Sequence, residues 1–141
     1  RDPRDVVLSC FRRRFAINAP MYQLLSLRGA AAFYDVAMQI GDRLGRELKL
    51  PTLAVRHESL VEDFDAVAGE ICAFLDLPFT ADLRDFAQRV QDRGIATPSG
   101  AQLAGGLTAE GMGAWRRYAT QMVGVLPTLR PWVKRFGYPA D

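Results

Sequence analysis

The first nine residues carry the side chains best suited to binding an anion. Arg1 stands just before a predicted helix, and Ser9 falls in the third turn of that helix. Asp2 is the expected N-cap, Pro3 takes the first helical position and Asp5 lies in the first turn. A guanidinium, a hydroxyl and the amides of a helix N-terminus could together hold a phosphate or a sulfate. The alternative is a capped amphipathic helix with solvated arginines, and the two aspartates favour it because they offset the helix dipole.

A glycine-rich loop and one histidine are the other candidates for chemistry. The loop is predicted at residues 94–107, and segments of that length are commonly functional. Its polar side chains include Thr97, Ser99 and Gln102. His57 is the only histidine, and by its position alone it is an ordinary polar residue at the end of a short apolar run. Its imidazole could nevertheless titrate near neutral pH.

Composition excludes several classes of protein. The formal net charge is only +2 for 141 residues, which does not fit a strongly basic nucleic-acid-binding protein, and no nucleic-acid motif is present. Cys10 and Cys72 form neither a CxxC metal spacing nor a disulfide framework, so we expect no metal site and two free thiols in a reducing, cytoplasmic setting. No apolar run approaches the roughly 18 residues that span a membrane. The abundance of Arg, Ala and Gly indicates a bacterial genome rich in GC.

Apolar spacing and capping residues predict a mainly helical chain with one strand. Predicted helices begin at Asp2, Leu27, Asp63 or Asp65, Thr80, Thr108 or Glu110, and Leu126. The first is expected to end near Phe15, and Gly137 is expected to cap the last. The strand is predicted at residues 52–56, directly after Pro51. Because a lone strand needs neighbours for its backbone groups, we expect the rest of its sheet to precede Arg1.

The long helix that begins at Leu27 has an apolar stripe at three- and four-residue spacing. The stripe includes Ala30, Phe33 and Leu44, which fall along one face of the helix. Trp115 and Tyr118 have the same helical spacing further along the chain. Although either ring could stack on a nucleobase, this spacing favours a place in the core.

Six segments resemble, in the same order, blocks of the sulfotransferases that use 3′-phosphoadenosine 5′-phosphosulfate (PAPS). The first, RDPRDVVLS at residues 1–9, is similar to the motif that binds the 3′-phosphate of the nucleotide in that family. The others are VRHESLV (55–61), EICAFLDLP (70–78), TPSGAQL (97–103), AWRRY (114–118) and LRPWVKRFGY (129–138). The branch it resembles comprises bacterial members that often carry tetratricopeptide repeats, and the tyrosylprotein sulfotransferases.

The resemblance implies an α/β fold like that of the P-loop kinases, a parallel sheet flanked by helices. Residues 1–141 would form the C-terminal part of that single domain. Sulfuryl transfer from PAPS to a hydroxyl or amine is implied, with a small-molecule, carbohydrate or peptide acceptor. The phosphosulfate loop and the catalytic base would precede Arg1, so this part alone is expected to be inactive. The implied nucleotide-binding residues are Arg1 and Ser9 at the 3′-phosphate, His57 near the nucleotide, and Thr97, Ser99 and Gln102 in the loop that covers it.

Departures from the family pattern leave a rival hypothesis open. His57 stands where the family usually has Tyr, and Ala104 and Ala114 stand where relatives often carry a basic residue. These changes would weaken nucleotide binding. The rival is a non-catalytic helical interaction domain, a degenerate sulfotransferase that binds an anionic partner, and the retained Arg1 and Ser9 disfavour it. A Gly/Ser/Thr-rich loop encoded upstream of Arg1 would support the enzyme.

Overall fold

A computed structural model describes residues 1–13, 15–16, 18–93 and 104–140. The chain divides into two compact units, one formed by Arg1–Thr52 with Glu110–Asp141 and the other by Leu53–Ala109. The described residues are mainly helical, as the sequence predicts, and they include no strand. The α/β fold that the resemblance implies therefore stays a prediction.

The helices of the described residues are short, except for one. They are α1 (Pro3–Arg12), α2 (Leu27–Glu47), α3 (His57–Glu62), α4 (Phe64–Phe74), α5 (Phe86–Arg93), α6 (Ala119–Met122) and α7 (Leu126–Arg135). Turns of 3₁₀-helix cover Met21–Leu25, Ala81–Asp85 and Ala114–Tyr118.

Side-chain caps begin three of these helices. The Asp2 carboxylate accepts a hydrogen bond from the backbone N–H of Arg4, and Pro3 is the first residue of α1, as predicted. Ser26 caps α2 and Asp63 caps α4 in the same way, with N···O distances of 3.0 Å. The prediction for Thr80 is wrong, because its side chain makes no capping bond and a 3₁₀ turn precedes α5.

The end of α7 confirms the predicted glycine cap. Gly137 has a φ of +70°, and its N–H donates to the carbonyl of Lys134. The N–H of Tyr138 donates to the carbonyl of Val133. This pair of bonds is a Schellman motif, which favours glycine because a side chain strains the left-handed conformation.

The core of the first unit joins residues from both ends of the chain. Its buried members are Val7, Leu8, Leu24, Ala30, Ala31, Trp115, Met122, Val125 and Leu129. Trp115 is therefore a core residue, and Tyr118 packs against the same cluster, as the spacing favours. The burial of α1 residues among residues 115–129 ties the N-terminus to the C-terminal segment.

The apolar stripe of α2 is only partly buried. Ala30 and Ala31 are buried, whereas Phe33 and Leu44 are 37% and 49% exposed. Phe33 and Leu44 therefore lie on the predicted apolar face without being buried. A helical period places residues on a common face but does not say which part of a wide face has a neighbour.

The predicted strand at residues 52–56 is absent. These residues lie outside any helix or strand and are exposed, with Leu53 and Val55 each 38% exposed. A strand is defined by hydrogen bonds to a second strand, and the described residues supply none. The segment joins α2 to α3.

Two helix boundaries also differ from the predictions. α1 ends at Arg12 rather than near Phe15, because the backbone of Arg13 is extended (φ −82°, ψ 141°). The helix predicted from Thr108 or Glu110 does not begin there. Gly111 and Gly113 have φ values of +80° and +67°, which interrupt a right-handed helix, so helical structure starts at Ala114.

The second unit buries little. Among its described residues only Ala68 and Cys72 are buried, and the rings of Phe64 and Phe86 stack with centroids 6.1 Å apart. Within the part of the chain that the structure describes, no helix combines the length and apolar character needed to span a membrane.

Candidate anion-binding site

Arg1 is held against a turn that is distant in sequence. Its Nη2 donates to the carbonyl oxygen of Gly111 over 2.7 Å. A Cβ built on Gly111 would lie 2.4 Å from that same Nη2 atom, so only glycine leaves room for the guanidinium in this position. The positive φ of Gly111 adds a second reason for glycine there.

Arg4 and Asp2 form a buried ion pair beside Arg1. Arg4 Nη2 lies 2.8 Å from Asp2 Oδ2, and its Nε donates to Asp2 Oδ1 over 3.0 Å. The same Nη2 donates to the carbonyl of Pro139, and the guanidinium lies 4.0 Å from the ring centroid of Trp115. Arg4 is only 2% exposed. The Arg4 guanidinium therefore stabilises the fold through these contacts.

Asp5 fastens the start of α1 to the turn that carries Gly111. One carboxylate oxygen accepts from the N–H of Gly113 over 2.6 Å, and the other accepts from the N–H of Trp115 over 2.9 Å. Asp5 is 2% exposed. Hydrogen bonds to charged acceptors are strong when buried, so this carboxylate fixes the distance between the two segments.

Two arginines influence the thiol of Cys10, which follows Ser9 on α1. Burial raises the pKa of the Cys10 thiol, while the guanidinium groups of Arg1 and Arg13 oppose that rise by favouring the thiolate. Ser9, Cys10 and Arg1 are all half-buried. Two cations therefore act on the residue next to Ser9, and nearby positive charge favours an anion.

The other predicted site residue that the structure describes is His57. His57 begins α3 in the second unit, where it is half-buried. Thr97, Ser99 and Gln102 lie outside the described residues. Arg1 and Ser9 both belong to the first unit, and the structure describes both residues.

Sequence reasoning missed four residues of this site: Arg4, Asp5, Gly111 and Gly113. The sequence indicates for Asp5 only a place in the first turn of α1, where it offsets the helix dipole, whereas its carboxylate bonds to backbone more than a hundred residues away. The available signal was the pair of glycines two residues apart before Trp115, since such a pair commonly marks a tight turn.

A separate cavity of about 350 Å³ lies within the second unit. Its walls are Glu62, Asp63, Phe64, Asp65, Arg84, Phe86 and Leu107. Arg84 forms an ion pair with Asp65, so the remaining charges are acidic and the cavity does not suit a phosphate or sulfate. Among the residues that the structure describes, no group of three or more His, Cys, Asp or Glu side chains could hold a metal ion.

Comparison with known proteins places this geometry in context. A model of the sulfotransferase family matches residues 1–81, more than half of the chain, and the match includes α1 with Arg1 and Ser9. No curated protein and no solved structure matches the chain. The turn at Gly111 lies outside the matched range.

Proposed function

Since the chain belongs to the sulfotransferase family, we propose that it acts in transferring a sulfuryl group from PAPS to an acceptor hydroxyl or amine. Its contribution is the site for the 3′-phosphate of the nucleotide, formed by Arg1 and Ser9. The observation that carries this proposal is the family match over residues 1–81, which includes Arg1 and Ser9; the guanidinium groups of Arg1 and Arg13, which favour the thiolate of the neighbouring Cys10, add support. A phosphate monoester carries up to two negative charges at neutral pH, and two nearby cations match that charge.

Each site residue has a separate task in this proposal. The planar guanidinium of Arg1 donates paired hydrogen bonds to phosphate oxygens. The hydroxyl of Ser9 donates one more, and Arg13 adds electrostatic attraction. Asp2, Arg4 and Asp5 do not bind the nucleotide, because their charged groups are used within the fold.

The other nucleotide contacts follow from the resemblance. Thr97, Ser99 and Gln102 are proposed to close over the nucleotide, and His57 is proposed to lie near it. PAPS supplies the sulfuryl group and leaves as 3′-phosphoadenosine 5′-phosphate. The residues of this chain contribute by holding the donor in one orientation, which lowers the entropic part of the barrier. A small molecule, a carbohydrate or a peptide is the proposed class of acceptor.

Calorimetric titration of the chain with 3′-phosphoadenosine 5′-phosphate tests the proposal, with 5′-AMP as the control nucleotide. The bisphosphate should bind more tightly, since only it carries the 3′-phosphate. Arg1→Ala and Ser9→Ala should each remove most of that preference, by about tenfold or more for a charge-assisted bond. Arg28→Ala, which removes an exposed arginine of α2, is the matched control and should change nothing.

Two outcomes would contradict the assignment. Equal affinity for the two nucleotides would mean that no 3′-phosphate site exists on the chain. Absence of binding to either would mean that this chain by itself is not a nucleotide-binding module.

A further inference from the structure

We propose that Gly111 is a positioning residue for Arg1, whose guanidinium it holds in one place for the nucleotide. This inference rests on the proposed function and deepens it, because it assigns a role in nucleotide recognition to a turn outside the family match. Gly111 acts through Arg1 and makes no contact with the nucleotide itself.

The first argument is the closeness of the two residues. The Gly111 carbonyl accepts the hydrogen bond from Arg1 Nη2 at 2.7 Å, and a Cβ on Gly111 would stand 2.4 Å from that atom and 3.6 Å from Cζ. Real Cβ atoms do not approach other heavy atoms so closely. Any side chain at residue 111 would therefore move the guanidinium.

The second argument is that hydrogen bonds to Asp5 hold the turn around Gly111 in place. Asp5 holds the N–H groups of Gly113 and Trp115, and it lies only four residues after Arg1 on α1. Trp115 is itself buried, with the Arg4 guanidinium over its ring. The Gly111 carbonyl, which accepts from Arg1, is therefore held at the N-terminal end of α1, beside Arg1 itself.

The third argument concerns what the arrangement does for binding. An arginine side chain has many rotamers, and ordering it on binding lowers affinity. A carbonyl that already holds one guanidinium N–H restricts those rotamers before the nucleotide arrives.

The test is a double-substitution cycle on 3′-phosphoadenosine 5′-phosphate binding, again with 5′-AMP as control. Gly111→Ala should lower affinity for the bisphosphate about tenfold and leave 5′-AMP unchanged. In an Arg1→Ala background the same substitution should have no further effect on affinity. Gly137→Ala is the matched control, because Gly137 also has a positive φ but a Cβ there would meet nothing within 4 Å.

Folding of the variants is part of the same test. If Gly111→Ala alone does not fold, the chain with both Gly111→Ala and Arg1→Ala should fold as well as Gly137→Ala, because removing the guanidinium removes the clash. Failure of the doubly substituted chain to fold where Gly137→Ala folds would overturn the inference, since the glycine would then serve the turn alone.

A measurement without nucleotide separates this inference from the proposed function. Arg1 and Arg13 are the charged groups that act on the Cys10 thiol, so alkylation of Cys10 across pH, in a Cys72→Ala background, reports where the Arg1 guanidinium lies. Gly111→Ala should shift the thiol pKa, and the shift should vanish in the Arg1→Ala background. Gly137→Ala should cause none.

The outcomes are distinct. If the wild-type chain does not prefer the bisphosphate but the thiol pKa responds as expected, the proposed function fails and the positioning of Arg1 by Gly111 stands. If the thiol pKa is the same in the wild type and in Gly111→Ala, the positioning inference is wrong whatever the nucleotide does.

Discussion

Two arginine–aspartate pairs in this chain have the same chemistry and different surroundings. Arg4 binds Asp2 in the first unit through two N–H groups, and Arg84 binds Asp65 in the second unit through the same two atoms. Each guanidinium also lies over an aromatic ring, Trp115 or Phe79. The side chains of the first pair are 3% and 9% exposed, whereas those of the second are 52% and 49% exposed.

The difference shows what burial adds to a salt bridge. Water screens an exposed pair and competes for its hydrogen bonds, so such pairs contribute little to stability. The groups of a buried pair cannot bond to water instead, so removing one partner leaves a desolvated charge. The pair in the first unit therefore stabilises the start of α1. The pair in the second unit lies on an exposed surface and contributes little to stability.

Removal of the two arginines should give the largest contrast. Arg4→Ala should lower the free energy of unfolding by about 3–5 kcal/mol, because Asp2 loses its buried guanidinium partner. Arg84→Ala should change it far less. Urea denaturation followed by circular dichroism measures both, and similar losses for the two variants would show that burial does not distinguish the pairs.

Asp5→Asn tests another buried carboxylate of the first unit. The substitution keeps the size of the side chain and removes its charge. An amide can accept with only one of its two heavy atoms, so either the Gly113 or the Trp115 N–H loses its bond. We expect a loss of about 1–3 kcal/mol. Asp92→Asn, on exposed α5, is the control and should have little effect. An equal effect of the two substitutions in the denaturation assay would contradict the role of Asp5.

Alkaline pH should act on the first unit through Tyr34. Burial, reinforced by Tyr138 and Asp2, raises the pKa of Tyr34 from 10.0 to about 12. Because the folded-state pKa is the higher one, this contribution to stability is present below pH 10 and is lost as pH rises towards 12. Tyr34→Phe should thus lose less stability than the wild type between those values. Tyr22→Phe, which alters an exposed tyrosine, should behave like the wild type.

Lowering the pH should weaken the ion pair between Arg84 and Asp65. Because this pair is exposed, we expect the smallest effect on stability here. The hydrogen bond from Arg84 lowers the pKa of Asp65 below 3.8. Because the folded-state pKa is the lower one, the stabilisation is present above pH 3.8 and is lost as pH falls through the folded-state value. An NMR titration of the Asp65 carboxyl carbon should show the low pKa and its return towards 3.8 in Arg84→Ala. A titration that Arg84→Ala leaves unchanged would rule out the pair in solution.

Local signals in the sequence predicted much of the fold. Asp2, Pro3 and Asp63 mark helix starts, and Gly137 marks a helix end, because capping depends on residues within one turn. The same reasoning failed at residues 52–56. A strand requires a partner that a local apolar run does not identify.

The site was only partly predictable for the same reason. Arg1 and Ser9 follow from the residue pattern and the resemblance. The bonds from Asp5 to Gly113 and Trp115 join segments more than a hundred residues apart, and no local pattern encodes such a pairing. The glycines at 111 and 113 could have indicated the turn, but not the arginine that bonds to it.

The central claim is that Arg1 and Ser9 hold a 3′-phosphate, and phosphorus NMR tests it most directly. The two phosphates of 3′-phosphoadenosine 5′-phosphate give separate signals, so one spectrum reports on both. We predict that the wild-type chain shifts the 3′ signal and lowers the second pKa of that phosphate, since nearby cations favour its dianion. The shift should be lost in Arg1→Ala and kept in Arg28→Ala. A 3′ signal that responds equally to the wild type and to Arg1→Ala would contradict the claim.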